Sequence, residues 1–242
     1  MAQASGKHSP VCLIQLIIVG CVIPVTRAIL LIPIPLMNNQ QLIIFTRYPE
    51  PGKTKTRLIS ALGAEGAANL QSQMTKTTIT KAKKLSNMMS LLIEVRFAGG
   101  NLQLMKNWLR ADLEIDLKYQ EQATGNLGER IKRAFESAFN QRMKSVVIIG
   151  ADCPSLTADI MLEAFAKLTE SDVIIGPATD GGYYLIGLKK IIPELFEGIN
   201  WGTSEVLSKT VAIAQDLNLA IDYLPELFDI DRPEDLEKLQ FS

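Results

Sequence analysis

Asp152 stands in the run Gly150-Ala-Asp-Cys-Pro154, directly after the β-branched stretch Ser145–Ile149. A carboxylate just past the carboxyl end of a buried parallel strand occupies the place where open α/β sheets bind their ligands. Gly150 and Ala151 leave room for close approach, and Pro154 ends the strand. Two readings fit: Asp152 holds a metal ion, or it caps a turn. Lys53, Lys55 and Arg57 follow the predicted strand Gln41–Thr46 in a loop that Pro49 and Pro51 keep out of helix. There they can converge on phosphate oxygens, helped by a helix expected to start near Thr56. The alternative is a solvated basic loop. Gly52-Lys53-Thr54 resembles the end of a Walker A loop, but Arg47 stands where that motif requires its first glycine. Asp229 and Asp231 alternate along Phe228–Asp231, so an extended backbone turns both to one side. Such a pair binds a hard cation, and Asp231 is also placed to cap a last helix whose first turn suits Pro233.

Further polar loops lie between these segments. Thr124-Gly125-Asn126 precedes an amphipathic helix carrying Leu127, Ile131, Ala134, Phe135 and Ala138 on one face. It shapes a nucleotide pocket or forms an ordinary helix start. Asp180, Gly181 and Gly182 introduce the apolar run from Tyr183 to Leu188, and paired glycines admit a ligand as readily as they make a hairpin turn. Trp201 precedes a helix whose cap is expected at Thr203 or Ser204, and it serves either core packing or the wall of an acceptor pocket. Lys81, Lys83 and Lys84 read as a solvated helix face.

Strand and helix signals alternate from residue 41 onward: strands at Leu91–Phe97, Leu113–Tyr119, Ser145–Ile149 and Asp172–Gly176, helices at Ala64–Leu85, Leu102–Leu109 and Ala158–Leu168. With 242 residues and 47% apolar side chains, one sizeable core forms without metal or disulfide support. Formal net charge is −1, which gives no footprint for nucleic acid. Cys12, Cys21 and Cys153 are widely spaced and the single histidine, His8, lies near the start, so no zinc site or disulfide framework is expected and the compartment is cytoplasmic. Residues 1–38 differ from the rest. The apolar stretch within residues 11–36, interrupted by Arg27 and three prolines, reads as a dispensable extension or as a membrane anchor, and residues 39–242 as the functional domain.

Five motifs in order carry a resemblance: Lys-Thr-Lys-Thr-Arg-Leu after the first strand, Gly-Ala-Asp-Cys-Pro, Asp-Gly-Gly-Tyr-Tyr-Leu-Ile-Gly-Leu, Trp-Gly-Thr-Ser-Glu-Val-Leu and Asp-Ile-Asp-Arg-Pro-Glu-Asp-Leu. Together they are similar to the nucleotide-diphospho-sugar transferase superfamily of GT-A fold. Within it they resemble the glycosyltransferase-like branch related to phospholactate and molybdenum-cofactor guanylyltransferases. The resemblance implies a three-layer Rossmann-like α/β fold, with a mostly parallel mixed sheet and helices on both faces. It implies Mg²⁺ or Mn²⁺ on Asp152, with Asp231 as second ligand and Asp229 beside it, and Lys53, Lys55 and Arg57 over the phosphates, near Gly125. Asp152, Lys55 and Arg57 then carry catalysis by positioning and electrostatics, with the acceptor near Asp180, Gly181, Gly182, Tyr183 and Trp201. The partners are a nucleotide or nucleotide-sugar donor and an acceptor. The expected reaction is glycosyl transfer from a nucleoside-diphosphate sugar. Nucleotidyl transfer releasing pyrophosphate is the runner-up, and a non-catalytic nucleotide-binding protein is the third reading. Two departures stand out: the first loop is proline-rich rather than glycine-rich, and Arg232 replaces the threonine common in relatives.

Overall fold

The computed structural model describes residues 39–110 and 117–241. Seven strands alternate with five helices: β1 (Gln40–Arg47), α1 (Ile59–Met88), β2 (Leu92–Ala98), α2 (Leu102–Arg110), β3 (Lys118–Glu121), α3 (Leu127–Asn140), β4 (Ser145–Gly150), α4 (Ala158–Lys167), β5 (Val173–Pro177), β6 (Tyr183–Leu188), α5 (Val206–Asp216) and β7 (Ile221–Tyr223). They form one sheet in the order β3-β2-β1-β4-β6-β5-β7. Strands β1 to β4 run parallel. Strand β6 runs antiparallel to β4 and β5, and β5 pairs parallel with β7. The chain builds outward from β1 to β3 and then returns to place β4 on the other side of β1. Strand order therefore reverses between β1 and β4, and the loops leaving their carboxyl ends part to open a crevice.

Alternation along the strands divides the core into two layers. Leu42, Ile44, Val147 and Ile149 pack on one face against Ile79 and Leu85 of α1, Met105 of α2 and Phe165 of α4. Ile43, Val146 and Ile148 pack on the other face against Phe135 and Ala138 of α3 and Ala214 of α5. The result is the expected three-layer α/β fold with a mostly parallel mixed sheet.

Several local expectations are corrected. Chain 56–58 forms a short 3-10 turn before α1, and Gly63 (φ 70°, ψ 169°) breaks the helical geometry soon after, so the helix start near Thr56 is not a regular α-helical end. Lys81 is not a solvated side chain: its ammonium donates to Pro154 O at 2.5 Å, tying α1 to the loop after β4. Strand β3 lies at Lys118–Glu121, later than expected; residues 111–116 of that expectation fall outside the described part. The cap position of α5 falls at Glu205, not at Thr203 or Ser204, and no side-chain cap bond forms there; the Thr203 hydroxyl, two residues earlier, donates to Asn200 O at 2.8 Å and accepts from Glu205 N at 3.4 Å. Thr157 does cap α4, accepting from Ile160 N. The last segment, Pro233–Phe241, is 3-10 helical, and Asp235 rather than Asp231 accepts from the amides of Asp231 and Arg232. Asp231 is drawn away by Arg57 and Lys55. The apolar stretch within residues 11–36, with Cys12, Cys21 and His8, lies outside the described residues; among those described, no helix is long and apolar enough to cross a membrane.

Candidate active site

The crevice over the carboxyl ends of β1 and β4 is a cleft of about 560 Å³, lined by Lys53, Lys55, Arg57, Asp152, Asp180, Asp229 and Asp231 among others. The loop after β1 enters it through a built turn. Thr54 is buried, its hydroxyl donates to Tyr48 O at 2.7 Å, and Glu50 N donates back to that hydroxyl at 3.3 Å. Gly52 takes φ 77° to make the turn, and Lys55 takes the left-handed conformation (φ 48°, ψ 46°) that turns its side chain inward.

Lys55 is the centre of the site. Its side chain is only 7% exposed, and its ammonium lies 3.1 Å from Asp152 Oδ2, 2.6 Å from Ile230 O and 3.6 Å from Asp231 Oδ1. Burial works against the charge, but Asp152, Asp231 and Asp229 outweigh it and hold the Lys55 pKa above its ordinary value. Arg57 extends from the same loop to bond Asp231. The expected alternation along Phe228–Asp231 is present: Phe228 and Ile230 pack into a small cluster with Leu58 and Met74, while Asp229 and Asp231 line the cleft. Ile230 N donates to Asp152 O at 2.9 Å, which stitches this segment to the loop after β4. The two aspartates are unequal. Asp231 is half-exposed, whereas the Oδ1 of Asp229 is buried without any hydrogen-bond partner. Desolvation, then the charges of Asp152 and Asp180, push the Asp229 pKa up to about 8. Cys153, next to Asp152, is buried, and burial pushes its thiol up to about 12, so it supplies no thiolate nucleophile.

An unpartnered buried carboxylate oxygen beside two further carboxylates suits a hard, oxygen-binding cation. The donor chemistry of Asp152, Asp229 and Asp231 therefore fits Mg²⁺ or Mn²⁺. Their present geometry is closed around a different cation, the Lys55 ammonium, and no ready-made group of three metal-holding side chains exists among the described residues.

Other expected residues fall in different places. Lys53 lines the cleft but is 72% exposed on its side chain and paired with Glu50 at 2.7 Å, so it does not converge with Lys55. Gly125 takes φ 109° at the start of α3 and acts at one remove: its carbonyl accepts from Arg130 Nε at 2.8 Å, and Arg130 lines the cleft. Asn126 and Glu129 close a capping box there. Asp180 and Gly181 form the β5–β6 turn, with the Asp180 carboxylate accepting from Gly182 N at 2.9 Å, and Asp180 and Gly182 also line the cleft. Gly181 packs against the Ser204 backbone, and Tyr183 meets Trp201 edge-on at 6.3 Å on the cleft wall. Two cations were missed, Arg47 at the end of β1 and Arg130 in the first turns of α3. An arginine near a helix amino terminus works against the macrodipole, and that misfit was the available signal. Gln122, also missed, fixes the loop after β3 by donating to Thr46 O and Arg96 O, each at 3.1 Å.

Residues 81–203 match the family described as uncharacterized protein conserved in bacteria (DUF2064). The chain belongs to this family. It is 32% identical over 192 residues, 76% of each chain, to the 2-phospho-L-lactate guanylyltransferase of Methanocaldococcus jannaschii. A protein assigned as a nucleotide-diphospho-sugar transferase from Desulfovibrio desulfuricans G20 superposes with TM-score 0.77 at 32% identity, covering 84% of this chain and 87% of that one. The 4-diphosphocytidyl-2C-methyl-D-erythritol synthase of Anaerococcus prevotii DSM 20548 shares the fold, with TM-score 0.55 at 11% identity over 84% and 96% of the two chains. The DUF2064 chain thus sits in the nucleotide-diphospho-sugar transferase superfamily, as its motifs imply, and its class is transferase.

Proposed function

We propose that this protein is a nucleotidyltransferase that joins a nucleoside monophosphate unit from a nucleoside triphosphate to an anionic acceptor and releases pyrophosphate. This reorders the expectation from the motifs, which put glycosyl transfer first. The supporting observation is the charge centre at the strand-order reversal, where Lys55 and Arg57 meet Asp152 and Asp231. The likeness to a guanylyltransferase over three quarters of the chain favours the nucleotidyl reading over the glycosyl one.

The acceptor oxygen attacks the α-phosphorus, the bond from that phosphorus to the α–β bridging oxygen breaks, and pyrophosphate leaves with the electron pair. Charge grows on the leaving phosphates, and Arg57 and Lys55 are placed to meet it. The catalysis is positioning and electrostatics, carried by Asp152, Lys55 and Arg57. A Mg²⁺ or Mn²⁺ ion held by Asp152 with Asp229 and Asp231 supplies further charge neutralisation at the phosphates when bound. The nucleoside lies over the adjoining cavity at the ends of β2 and β3, about 300 Å³, which shares Arg47, Gln122 and Arg130 with the main cleft. Lys53 covers the outer phosphates from its exposed position.

The test offers GTP, ATP, CTP and UTP in turn with Mg²⁺ and 2-phospho-L-lactate, and measures pyrophosphate. Release with one base, lost in Asp152→Asn while the thermal midpoint stays within a few degrees, is the expected result. Sugar transfer from GDP-glucose or UDP-glucose without pyrophosphate release would overturn the proposal.

A further inference from the structure

The main cleft is chemically divided, and the division says what kind of acceptor it takes. On one side of the Lys55 centre the smaller cavity is lined by the Gly99-Gly100 backbone, Glu121, Gln122 and Thr124, a polar surface suited to a nucleoside. On the other side, over β4 and β6, the cleft is walled by Phe45, Ile131, Ile148, Tyr183, Ile186 and Trp201. Ile148 and Ile186 are almost wholly buried yet still line the cleft, so it reaches down to the apolar core between the sheet and α3. Few polar groups face this end. The Asp180 carboxylate accepts from Gly182 N through Oδ1, the Thr203 hydroxyl donates to Asn200 O, and the Tyr183 hydroxyl is buried without a hydrogen-bond partner, where desolvation pushes its pKa up. Trp201 is held in place by close packing on Gly128, where an added Cβ would lie 2.4 Å from its indole nitrogen.

We infer that this end is the acceptor subsite and that the acceptor is a phosphomonoester with a compact apolar or aromatic body, rather than a polyhydroxylated sugar phosphate. In-line attack requires the acceptor and the pyrophosphate to lie on opposite sides of the α-phosphorus; Lys55 and Arg57, which meet the pyrophosphate, come from the loop packed toward α1, whereas the apolar chamber lies on the α3 face of the sheet. A sugar phosphate entering it would bring several hydroxyls to a wall that offers few partners, and each hydroxyl left unpaired there costs free energy. Arg130, next to Ile131 of the wall in α3, binds the acceptor phosphate, and the wall selects the body. The inference rests on the proposed nucleotidyl transfer for the word acceptor, but its binding test does not.

Titration calorimetry of the full chain with phenyl phosphate, n-butyl phosphate, inorganic phosphate and glucose 1-phosphate tests it. Phenyl phosphate is expected to bind on the order of tenfold or more tighter than glucose 1-phosphate. Trp201→Ala should erase most of that advantage while leaving inorganic phosphate unchanged, and Leu127→Gln, at the exposed mouth, should reduce it in a chain whose core is untouched. Equal or tighter binding of glucose 1-phosphate, or phenyl phosphate binding indifferent to both substitutions, would overturn the inference. Selective phenyl phosphate binding in a protein that releases no pyrophosphate would leave the subsite standing and remove the nucleotidyl reading alone.

Discussion

Asp229 makes the folded state sensitive to pH, and Asp229→Asn is the change that exposes it. One oxygen of its carboxyl is buried without a partner, and desolvation first, then Asp152 and Asp180, push its pKa from 3.8 to about 8. In the unfolded chain the same group titrates near ~3.9. Between these values the native protein keeps a proton that the unfolded chain has released. Stability is therefore unaffected by this group below the unfolded pKa, falls as pH rises through the interval, and levels off above the folded pKa. One proton gives a slope of at most about 1.4 kcal/mol per pH unit, so the loss from pH 5 to pH 7 approaches ~3 kcal/mol. Asparagine has the size of the protonated carboxyl and cannot ionise. Urea unfolding with a chelator present, at pH 5, 6, 7 and 8, measures the effect. The variant should gain on wild type by about 3 kcal/mol between pH 5 and pH 7, with little further gain above pH 8. Asp152 and Asp231 share the charge centre, so the proton belongs to the cluster, but removing one of its carboxylates removes the crowding that holds it. A stability difference that stays constant from pH 5 to pH 8 would refute the reasoning. It would mean that Asp229 is ionised throughout and that Lys55 compensates it.

Lys55→Met removes the ammonium that now fills the space between Asp152 and Asp231. Mn²⁺ affinity without nucleotide, followed by electron paramagnetic resonance, should rise on the order of tenfold or more while pyrophosphate release is lost; unchanged affinity would show that the lysine does not hold the cation's place. At Gly181, where φ is 87°, an added Cβ would stand 2.3 Å from Ser204 O. Gly181→Ala should cost at least ~2 kcal/mol in urea unfolding, because backbone rather than a movable side chain must yield. Cys153, buried and raised to about 12, should react with a thiol reagent at pH 8 only at the rate of opening, and a fast reaction in the native protein would contradict its burial. A chain beginning at Asn38 should keep the thermal midpoint and nucleotide binding of the full chain, since residues 39–242 are proposed to form the functional domain; loss of folding would count against that boundary.

Much of the fold was legible because its signals are local. The β-branched runs of β1, β2, β4 and β5 announce buried strands, and the small residues after β4 announce the loop that brings Asp152 to the cleft. The Phe228–Asp231 alternation was equally readable, since a period of two is a property of the backbone itself. The errors concern how distant segments meet. Asp231 was expected to cap a helix, and it does not, because Arg57, 174 residues earlier, takes its carboxylate. Lys53, Lys55 and Arg57 look equivalent in the sequence, yet a left-handed backbone at Lys55 sends one of them inward to Ile230 O, 175 residues away, while Lys53 stays in solvent with Glu50. The same distance effect governs specificity. Phe45, Ile148 and Ile186 each read as ordinary strand core, and so they are on the sheet; only the pairing of β1 with β4 and of β4 with β6 sets them side by side beneath α3. A chamber made from core residues leaves no motif, so the proposed acceptor's chemistry has to be argued from the assembled sheet, whereas the proposed phosphate site, made from polar loops, is visible in the chain.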